Sequence, residues 1–163
     1  MILAIDTCLT ACSAAVTDGA RVLAARSEPM DRGHQERLGP LVAEVMAGLE
    51  FSALERIGAT VGPGSFTGLR VGLAFAKGLG LALGRPVVGV GTLQALAADE
   101  GARAAAVVDA RRGQVYLQAF ADGAALSEPE ALTAADAADR LRSLGADWRL
   151  VGSGAEMLAA LLP

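Results

Sequence analysis

Residues 62–84 constrain the fold more than any other part of the chain. Small residues recur there at every fourth position, a spacing that lines them up along one side of a helix. They are Gly68, Gly72, Ala76, Gly80 and Gly84. Because each glycine inside a helix costs about 0.5–1 kcal/mol relative to alanine, another backbone is expected to approach this side closely.

The other side chains of this predicted helix are apolar almost all round, and only Arg70 and Lys77 mark a polar edge. A helix that is apolar on every side is a buried helix, and we expect its own domain and another protein to share in covering it. A wholly internal helix is the alternative. The two charges disfavour a membrane span. Ser65 or Thr67 is expected to cap the helix start.

Two motifs that bind phosphate or activate a nucleophile are missing from the same segment. A P-loop requires glycine five residues after its first glycine, and Thr67 stands five residues after Gly62. A nucleophile elbow requires glycine two residues before and after its serine, and Ser65 has Pro63 and Thr67 there.

The net negative charge disfavours direct binding to nucleic acid. The chain has 163 residues, 14 Lys and Arg together and a net charge of −4. A self-sufficient nucleic-acid binder normally shows a basic stripe, so contact with RNA is expected to need a basic partner. Cys8 and Cys12 have no second Cys or His pair to complete a zinc site. Because no signal-peptide pattern follows Met1, we expect a cytoplasmic protein.

The pattern of elements predicts an α/β fold built from a duplication. The first half indicates strands at 2–6, 11–17, 22–27, 57–61 and 86–90, with helices at 34–49, 66–84 and 92–99. The second half indicates strands at 104–109, 114–120, 125–132 and 148–151, with helices at 134–144 and 155–162. Thr92 and Thr133 are expected to cap their helices.

This duplicated β-β-β-α-β-α order resembles the actin/sugar-kinase/Hsp70-like fold, in which two lobes flank a cleft. We expect a first lobe at 1–100 and a second lobe at 101–163. The second lobe is expected to be incomplete, because its pattern breaks off after the second helix.

Five segments resemble the TsaB (YeaZ) family, in order and over nearly the whole chain. The most specific is Gly-Pro-Gly-Ser-Phe-Thr-Gly-Leu-Arg-Val-Gly at 62–72; the others are 2–7, 33–38, 89–93 and 108–116. The resemblance implies a non-catalytic subunit that acts with a TsaD-type enzyme. Together they would make N6-threonylcarbamoyladenosine at adenosine 37 of tRNAs that read codons starting with A.

The same resemblance implies further partners and no cofactor. It implies contact with tRNA only through the complex, and a TsaE-type ATPase reached through that complex. TsaD-type enzymes carry a metal-binding His-x-x-x-His pair where this chain has Thr92 and Leu96. His34 and Glu36 diverge on a helix, so neither a metal site nor a catalytic residue is predicted, and His34 is expected to cap its helix or to lie at an interface.

A vestigial nucleotide cleft is predicted at two hairpin turns, one in each lobe. Its residues are Asp6, Thr7, Asp109, Arg111 and Gly113. The first turn, 7–10, has no glycine that would let a phosphate reach backbone N–H groups. The alternative is that both aspartates end strands and satisfy their own turns.

Two helices are predicted to form an apolar surface that pairs with the equivalent helices of TsaD. A chain without that enzyme is expected to pair with a second copy as a homodimer. The interface residues are Leu38, Leu41, Val42, Val45, Phe66, Leu69, Gly72, Phe75, Ala76 and Leu79.

Two enzymatic readings are alternatives. A small ATP-binding kinase or ATPase of the same fold is disfavoured by the glycine-free turn at 7–10. A hydrolase that uses Ser65 and His34 is disfavoured because the single histidine would have to fill every role.

Overall fold

The computed structural model of the chain describes residues 1–145 and 147–162. They divide into two units between Val90 and Gly91. The sequence placed the boundary after residue 100; the division comes earlier because the helix Thr92–Ala97 packs on strands of the second unit.

The first unit is a five-stranded sheet with two long helices. Its elements are β1 (Ile2–Asp6), β2 (Ala11–Thr17), β3 (Val22–Pro29), α1 (His34–Val45), a 3₁₀ turn (Phe51–Ala53), β4 (Arg56–Thr60), α2 (Phe66–Leu83) and β5 (Val87–Val90). The strand order is β3-β2-β1-β4-β5. β1 pairs antiparallel with β2 and parallel with β4.

Strict alternation in β1 and β2 places one face of this sheet in the core. Leu3 and Ile5 of β1 are buried with Cys12, Ala14 and Val16 of β2. Both helices cover this face. The apolar stripe of α1 faces the sheet and is fully buried: Leu38, Leu41, Val42 and Val45.

The opposite face of the same sheet is lined with small residues and is open in the described chain. Ala4 of the central strand pairs with Ala15 on one side and Gly58 on the other, and Gly58 pairs with Val88. Ala4 and Val88 are exposed. The first unit therefore has one helical layer and one bare sheet face.

The second unit repeats the strand order of the first. Its elements are α3 (Thr92–Ala97), β6 (Arg103–Arg111), β7 (Gln114–Ala121), β8 (Ala124–Ala125), β9 (Glu130–Thr133), α4 (Ala134–Leu144), β10 (Arg149–Val151) and α5 (Ala155–Ala159). The order is β10-β6-β7-β8, and β9 also pairs with β7. β6, β7 and β10 correspond to β1, β2 and β4, which confirms the duplicated actin-like plan.

One difference from the expected elements has a local cause. The third strand of the second unit is split into β8 and β9 because Ser127 forms a loop there: its hydroxyl accepts from Ala119 N at 3.3 Å, and its carbonyl accepts from Gln118 Nε2 at 3.0 Å. The sheet order ends at β10, so within 1–145 and 147–162 no second-unit strand corresponds to β5.

Two of the predicted helix caps are present and one is not. Ser65 Oγ accepts from Gly68 N at 3.2 Å, and Thr133 Oγ1 accepts from Asp136 N at 3.2 Å. Thr92 is the first residue of α3, so the expectation that it caps this helix is wrong. Gly91 takes that position.

α2 is also the one helix in the described part of the chain that is long and apolar enough to cross a membrane. Its buried positions are Gly68, Gly72, Ala76 and Gly80, which face the sheet. Length and composition alone do not separate a membrane helix from one that covers a sheet.

Candidate functional site

The small-residue side of α2 lies directly on the strands of its own unit. Thr7, which follows β1, is buried, and its hydroxyl donates to Gly68 O at 2.7 Å. A methyl group added at Gly68 would overlap the carbonyl oxygen of Thr7, and a Cβ at Gly72 would lie 2.6 Å from Thr7 Oγ1. The close backbone approach expected from the sequence therefore occurs within the first unit.

The same contact continues toward the end of α2. A Cβ at Gly80 would lie 2.6 Å from Cγ2 of Val87 in β5, and Ala76 is fully buried. The side chains are small because the strands leave no room for larger ones. This geometry favours the wholly internal alternative for the small-residue side.

Six of the ten predicted interface residues consequently lie inside the first unit. They are Leu38, Leu41, Val42, Val45, Gly72 and Ala76. Their placement on a contact surface is corrected, since each packs against the sheet. Leu69, Phe75 and Leu79 are half-buried, and Phe66 is 68% exposed.

The side of α2 opposite the glycines is exposed and largely apolar. We call this side, with the exposed residues Pro40 and Ala43 of α1, the outer helix face: Pro40, Ala43, Phe66, Arg70, Ala74, Lys77, Gly78 and Leu81. Leu81 is 86% exposed, and the guanidinium carbon of Arg70 lies 3.9 Å from the ring centre of Phe66. α1 and α2 adjoin where a Cβ at Gly39 would lie 3.9 Å from Phe75 Cε2.

Leu81, Ala74 and Gly78 were not predicted as contact residues. The signal for Ala74 and Gly78 is the same fourfold spacing that placed the glycines on one side, because Phe66, Arg70, Ala74 and Gly78 follow it on the other side. Leu81, three residues after Gly78, lies on that side as well. A leucine in a helix that is apolar almost all round is easily assigned to the core.

The carboxylate of Asp6 is engaged by its own turn. Asp6 Oδ1 accepts from Cys8 N at 2.8 Å and from Thr60 Oγ1 at 2.5 Å. Cys8 Sγ lies 2.8 Å from the same Thr60 hydroxyl, and Cys8 O accepts from Ser65 N at 2.7 Å. The turn after β1 is thereby closed onto β4 and onto the start of α2.

Asp109 makes the equivalent turn in the second unit. Asp109 Oδ1 accepts from Arg111 N at 2.7 Å, the same two-residue step as Asp6 to Cys8. Asp109 N donates to Ser153 Oγ at 3.1 Å. Both aspartates thus satisfy their own turns, as the alternative required.

The β6–β7 hairpin turn has three successive residues with a left-handed backbone. The φ angles are 69° at Arg111, 55° at Arg112 and 75° at Gly113. This region disfavours residues with a Cβ by about 1–2 kcal/mol each, so the two arginines occupy strained positions. The nucleotide cleft predicted at Asp6, Thr7, Asp109, Arg111 and Gly113 stays a prediction, since each of these residues lies in the turn of its own unit.

The candidate metal positions do not assemble a site. Among the described residues, no three His, Cys, Asp or Glu side chains lie close enough to hold an ion. Thr92 is buried in α3, and Leu96 lies against Gly152, where a Cβ would be 3.2 Å from Leu96 Cδ1. His34 is the first residue of α1 after the N-cap Gly33, so its expected capping role is corrected.

One ion-pair cluster fixes α1 to the sheet. Arg37 of α1 donates to both oxygens of Glu28 in β3, at 2.6 and 2.5 Å, and pairs with Glu44 Oε1 at 2.8 Å. These bonds hold the pKa of Glu28 and of Glu44 below its ordinary value. Burial raises the pKa of the Cys12 thiol on the neighbouring strand.

Comparison with known proteins gives consistent matches. The family described as "TsaD: tRNA N6-adenosine threonylcarbamoyltransferase" matches residues 25–156. The tRNA threonylcarbamoyladenosine biosynthesis protein TsaB of Escherichia coli is 34% identical, over 94% of this chain and 71% of that protein. TsaB of Buchnera aphidicola is 31% identical, over 94% of this chain and 79% of that protein.

A solved structure matches over almost the whole chain. YeaZ from Pseudomonas aeruginosa superposes with a TM-score of 0.84 at 31% identity, covering 99% of this chain and 79% of that one. The chain therefore belongs to the TsaB (YeaZ) family of tRNA threonylcarbamoyladenosine biosynthesis proteins.

Proposed function

We propose that this chain is a non-catalytic subunit, required with a TsaD-type enzyme for N6-threonylcarbamoylation of adenosine 37 in tRNAs that read codons starting with A. The outer helix face carries this proposal. The small-residue side of α2 is buried against the sheet, whereas Phe66 and Leu81 are 68% and 86% exposed. These two side chains lie near opposite ends of α2, about 22 Å apart along the helix. Large exposed apolar side chains at both ends of one helix side favour a protein interface along its length.

A TsaD-type enzyme is the partner that this face fits. The TsaD family matches residues 25–156, a range that contains α1 and α2, so such an enzyme has helices equivalent to these two. Like helices can pair about an approximate twofold axis, as identical helices do in an isologous dimer. In the absence of the enzyme, a second copy of this chain would occupy the same face.

The described chemistry supports an accessory role. The described residues form no metal-holding cluster, and the carboxylates of Asp6 and Asp109 are used by their own turns. The chain has a single histidine, which cannot act as base and ligand at once. No cofactor is proposed.

We propose that tRNA and a TsaE-type ATPase bind to the complex of this chain with the TsaD-type enzyme. A net charge of −4 gives the chain little attraction for RNA by itself, so tRNA would bind only to the complex. A TsaE-type ATPase would reach this chain through the same complex. We place the protein in the cytoplasm without membrane insertion, because the small-residue side of α2 packs on strands.

The decisive experiment combines co-purification with a modification assay. The chain, the TsaD-type enzyme of the same organism, and both together are incubated with threonylcarbamoyl-adenylate and unmodified tRNA, and the nucleosides are measured by mass spectrometry. We expect the two proteins to co-purify and only the mixture to make threonylcarbamoyladenosine efficiently. Product from this chain alone, with the enzyme rigorously excluded, would contradict the non-catalytic role.

A further inference from the structure

We propose that Arg111 and Arg112, at the tip of the β6–β7 hairpin, bind phosphate groups of tRNA when this chain acts with its partner enzyme. The identity of the RNA rests on the proposed function. The contact itself rests on the geometry of the hairpin. The two arginines would add a fixed cationic point to an otherwise acidic subunit.

The first observation is that these two side chains are left unpaired. Arg111 and Arg112 are exposed, and neither guanidinium has an ion-pair or hydrogen-bond partner within residues 1–145 and 147–162. Every other arginine of the second unit has one. The partners are Glu130 for Arg140, Asp139 for Arg142, Glu100 for Arg149, and the carbonyl of Leu144 for Arg103.

The second observation is that the backbone of this turn disfavours the residues it carries. Arg111 and Arg112 have φ angles of 69° and 55°, where glycine and asparagine are the usual residues. A turn that only connected β6 to β7 would favour Asn-Gly. Residues that break a local rule in this way are typical of functional positions.

The third observation is that the turn is braced from both sides. Asp109 Oδ1 accepts from Arg111 N at 2.7 Å, and Asp109 N donates to Ser153 Oγ at 3.1 Å. On the other side, Gly113 O accepts from Ala134 N at 3.3 Å. A braced turn loses little backbone freedom when a ligand binds.

Phosphate is the ligand that suits this pair. The planar guanidinium donates two parallel hydrogen bonds to a phosphate group. An RNA chain offers such a group at every nucleotide, and the substrate of the proposed complex is an RNA. An acidic surface of a protein partner would attract the same side chains, so the test separates the two.

The test uses the chain bound to its TsaD-type enzyme, with an unmodified tRNA transcript as the probe. The dissociation constant for this tRNA is measured over a series of salt concentrations, for the wild type and for Arg111→Gln/Arg112→Gln. We expect about three- to tenfold weaker binding at low salt and a log–log salt slope shallower by about 1–2, the change for two lost phosphate contacts. The control is Arg26→Gln/Arg56→Gln, which changes net charge equally at exposed positions of the first unit and should keep the slope.

A second variant separates strain from charge. Arg112→Asn suits the left-handed backbone and should raise the urea midpoint of the second unit while weakening tRNA binding. Unchanged tRNA binding in both variants would overturn the proposal. Loss of pairing with the enzyme would also overturn it, by assigning the arginines to a protein contact.

The wild-type complex keeps this inference apart from the proposed function. A complex that binds tRNA but does not modify it contradicts the proposed function, and the salt slope of the variant still decides the inference. A complex that does not bind tRNA contradicts the inference itself.

Discussion

The hydroxyl of Thr7 donates a hydrogen bond of 2.7 Å to the carbonyl oxygen of Gly68. This bond joins the residue after β1 to the first turn of α2. It forms only because Gly68 and Gly72 present no side chain toward Thr7. The glycines that weaken α2 as a helix are therefore the residues that let it lie on the strands.

Gly68→Ala is expected to destabilise the first unit by roughly 1–3 kcal/mol or more, because the new methyl group overlaps Thr7 O. Gly78→Ala in the same helix is the matched control. A Cβ there meets nothing within 4 Å, so this change should stabilise by about 0.5–1 kcal/mol. Urea unfolding followed by far-UV circular dichroism measures both, and equal stabilities would contradict the packing.

Leu81→Arg is expected to weaken pairing with the TsaD-type enzyme at least tenfold, or by about 1.4 kcal/mol, because it places a charge in the outer helix face. Leu81 is 86% exposed, so the fold should be unaffected. Val22→Arg is the control, since Val22 is also exposed, at 67%, but lies on β3. Normal pairing of Leu81→Arg, measured by calorimetry and elution volume, would exclude this face as the contact.

The stabilising effect of Arg37 is expected to disappear in acid. Glu28 and Glu44 have pKa values lowered from 4.5 by the hydrogen bonds of Arg37. A lowered folded-state pKa stabilises fully above the unfolded value, and the effect is lost as the pH falls below about 4.5. The urea midpoints of wild type and Arg37→Gln should therefore differ at pH 7 and converge toward pH 3.

The exposed Arg32→Gln is the control for this pH series, because no carboxylate pairs with Arg32 in the described chain. Its midpoint should follow the wild type at every pH. A difference for Arg37→Gln that persists at pH 3 would mean that packing, rather than the ion pairs, accounts for the effect.

Arg103→Ala is expected to destabilise the second unit by roughly 1–2 kcal/mol. Arg103 lies 4.3 Å from the ring centre of Trp148 and donates to Leu144 O at 2.6 Å, which secures the end of α4. Trp148 is the only tryptophan, so its fluorescence reports this unit alone. Arg149→Ala is the comparison: it removes a guanidinium that is 68% exposed and pairs with the half-buried Glu100, and it should cost less than about 1 kcal/mol. A larger loss for Arg149→Ala than for Arg103→Ala would contradict the importance given to Arg103.

Calorimetry of the isolated chain with ATP and Mg²⁺ is expected to show no micromolar binding, which corresponds to about −8 kcal/mol. The carbonyl groups of Thr7 and Cys8 face α2, and Cys8 O already accepts from Ser65 N at 2.7 Å. The turn therefore presents no glycine cradle to a phosphate. A micromolar dissociation constant would favour the kinase alternative.

The strands with strict alternation could be predicted to the residue. β1 and β2 have the expected bounds because Leu3 and Ile5, then Ala14 and Val16, alternate with residues on the other face. α4 also has its expected bounds, since Thr133 caps it and Leu144 ends its apolar pattern. α1 ends at Val45 rather than at residue 49, because Leu49 N bonds to Met46 O in a tighter turn.

The sequence could not predict whether the small-residue side of α2 faces its own sheet or a partner protein. Fourfold spacing of small residues indicates a close backbone, but it does not say whether that backbone belongs to the same unit or to a partner. The contact of Thr7 with Gly68 decides the question. The left-handed backbone at Arg111 and Arg112 could not be predicted either. In hairpin turns that conformation is normally indicated by asparagine or glycine, and these two positions carry arginine.

The contact between Thr7 and Gly68 also has a mechanical consequence. The short side chain of Thr7 is what lies between α2 and the end of β1 at this contact, so little compressible material separates them, and we expect α2 and the turn that holds Asp6 to move together. A load applied at Phe66 is thus transmitted across a helix about 10 Å thick to the opposite side. A displacement of the outer helix face is therefore expected to displace the first hairpin turn with it.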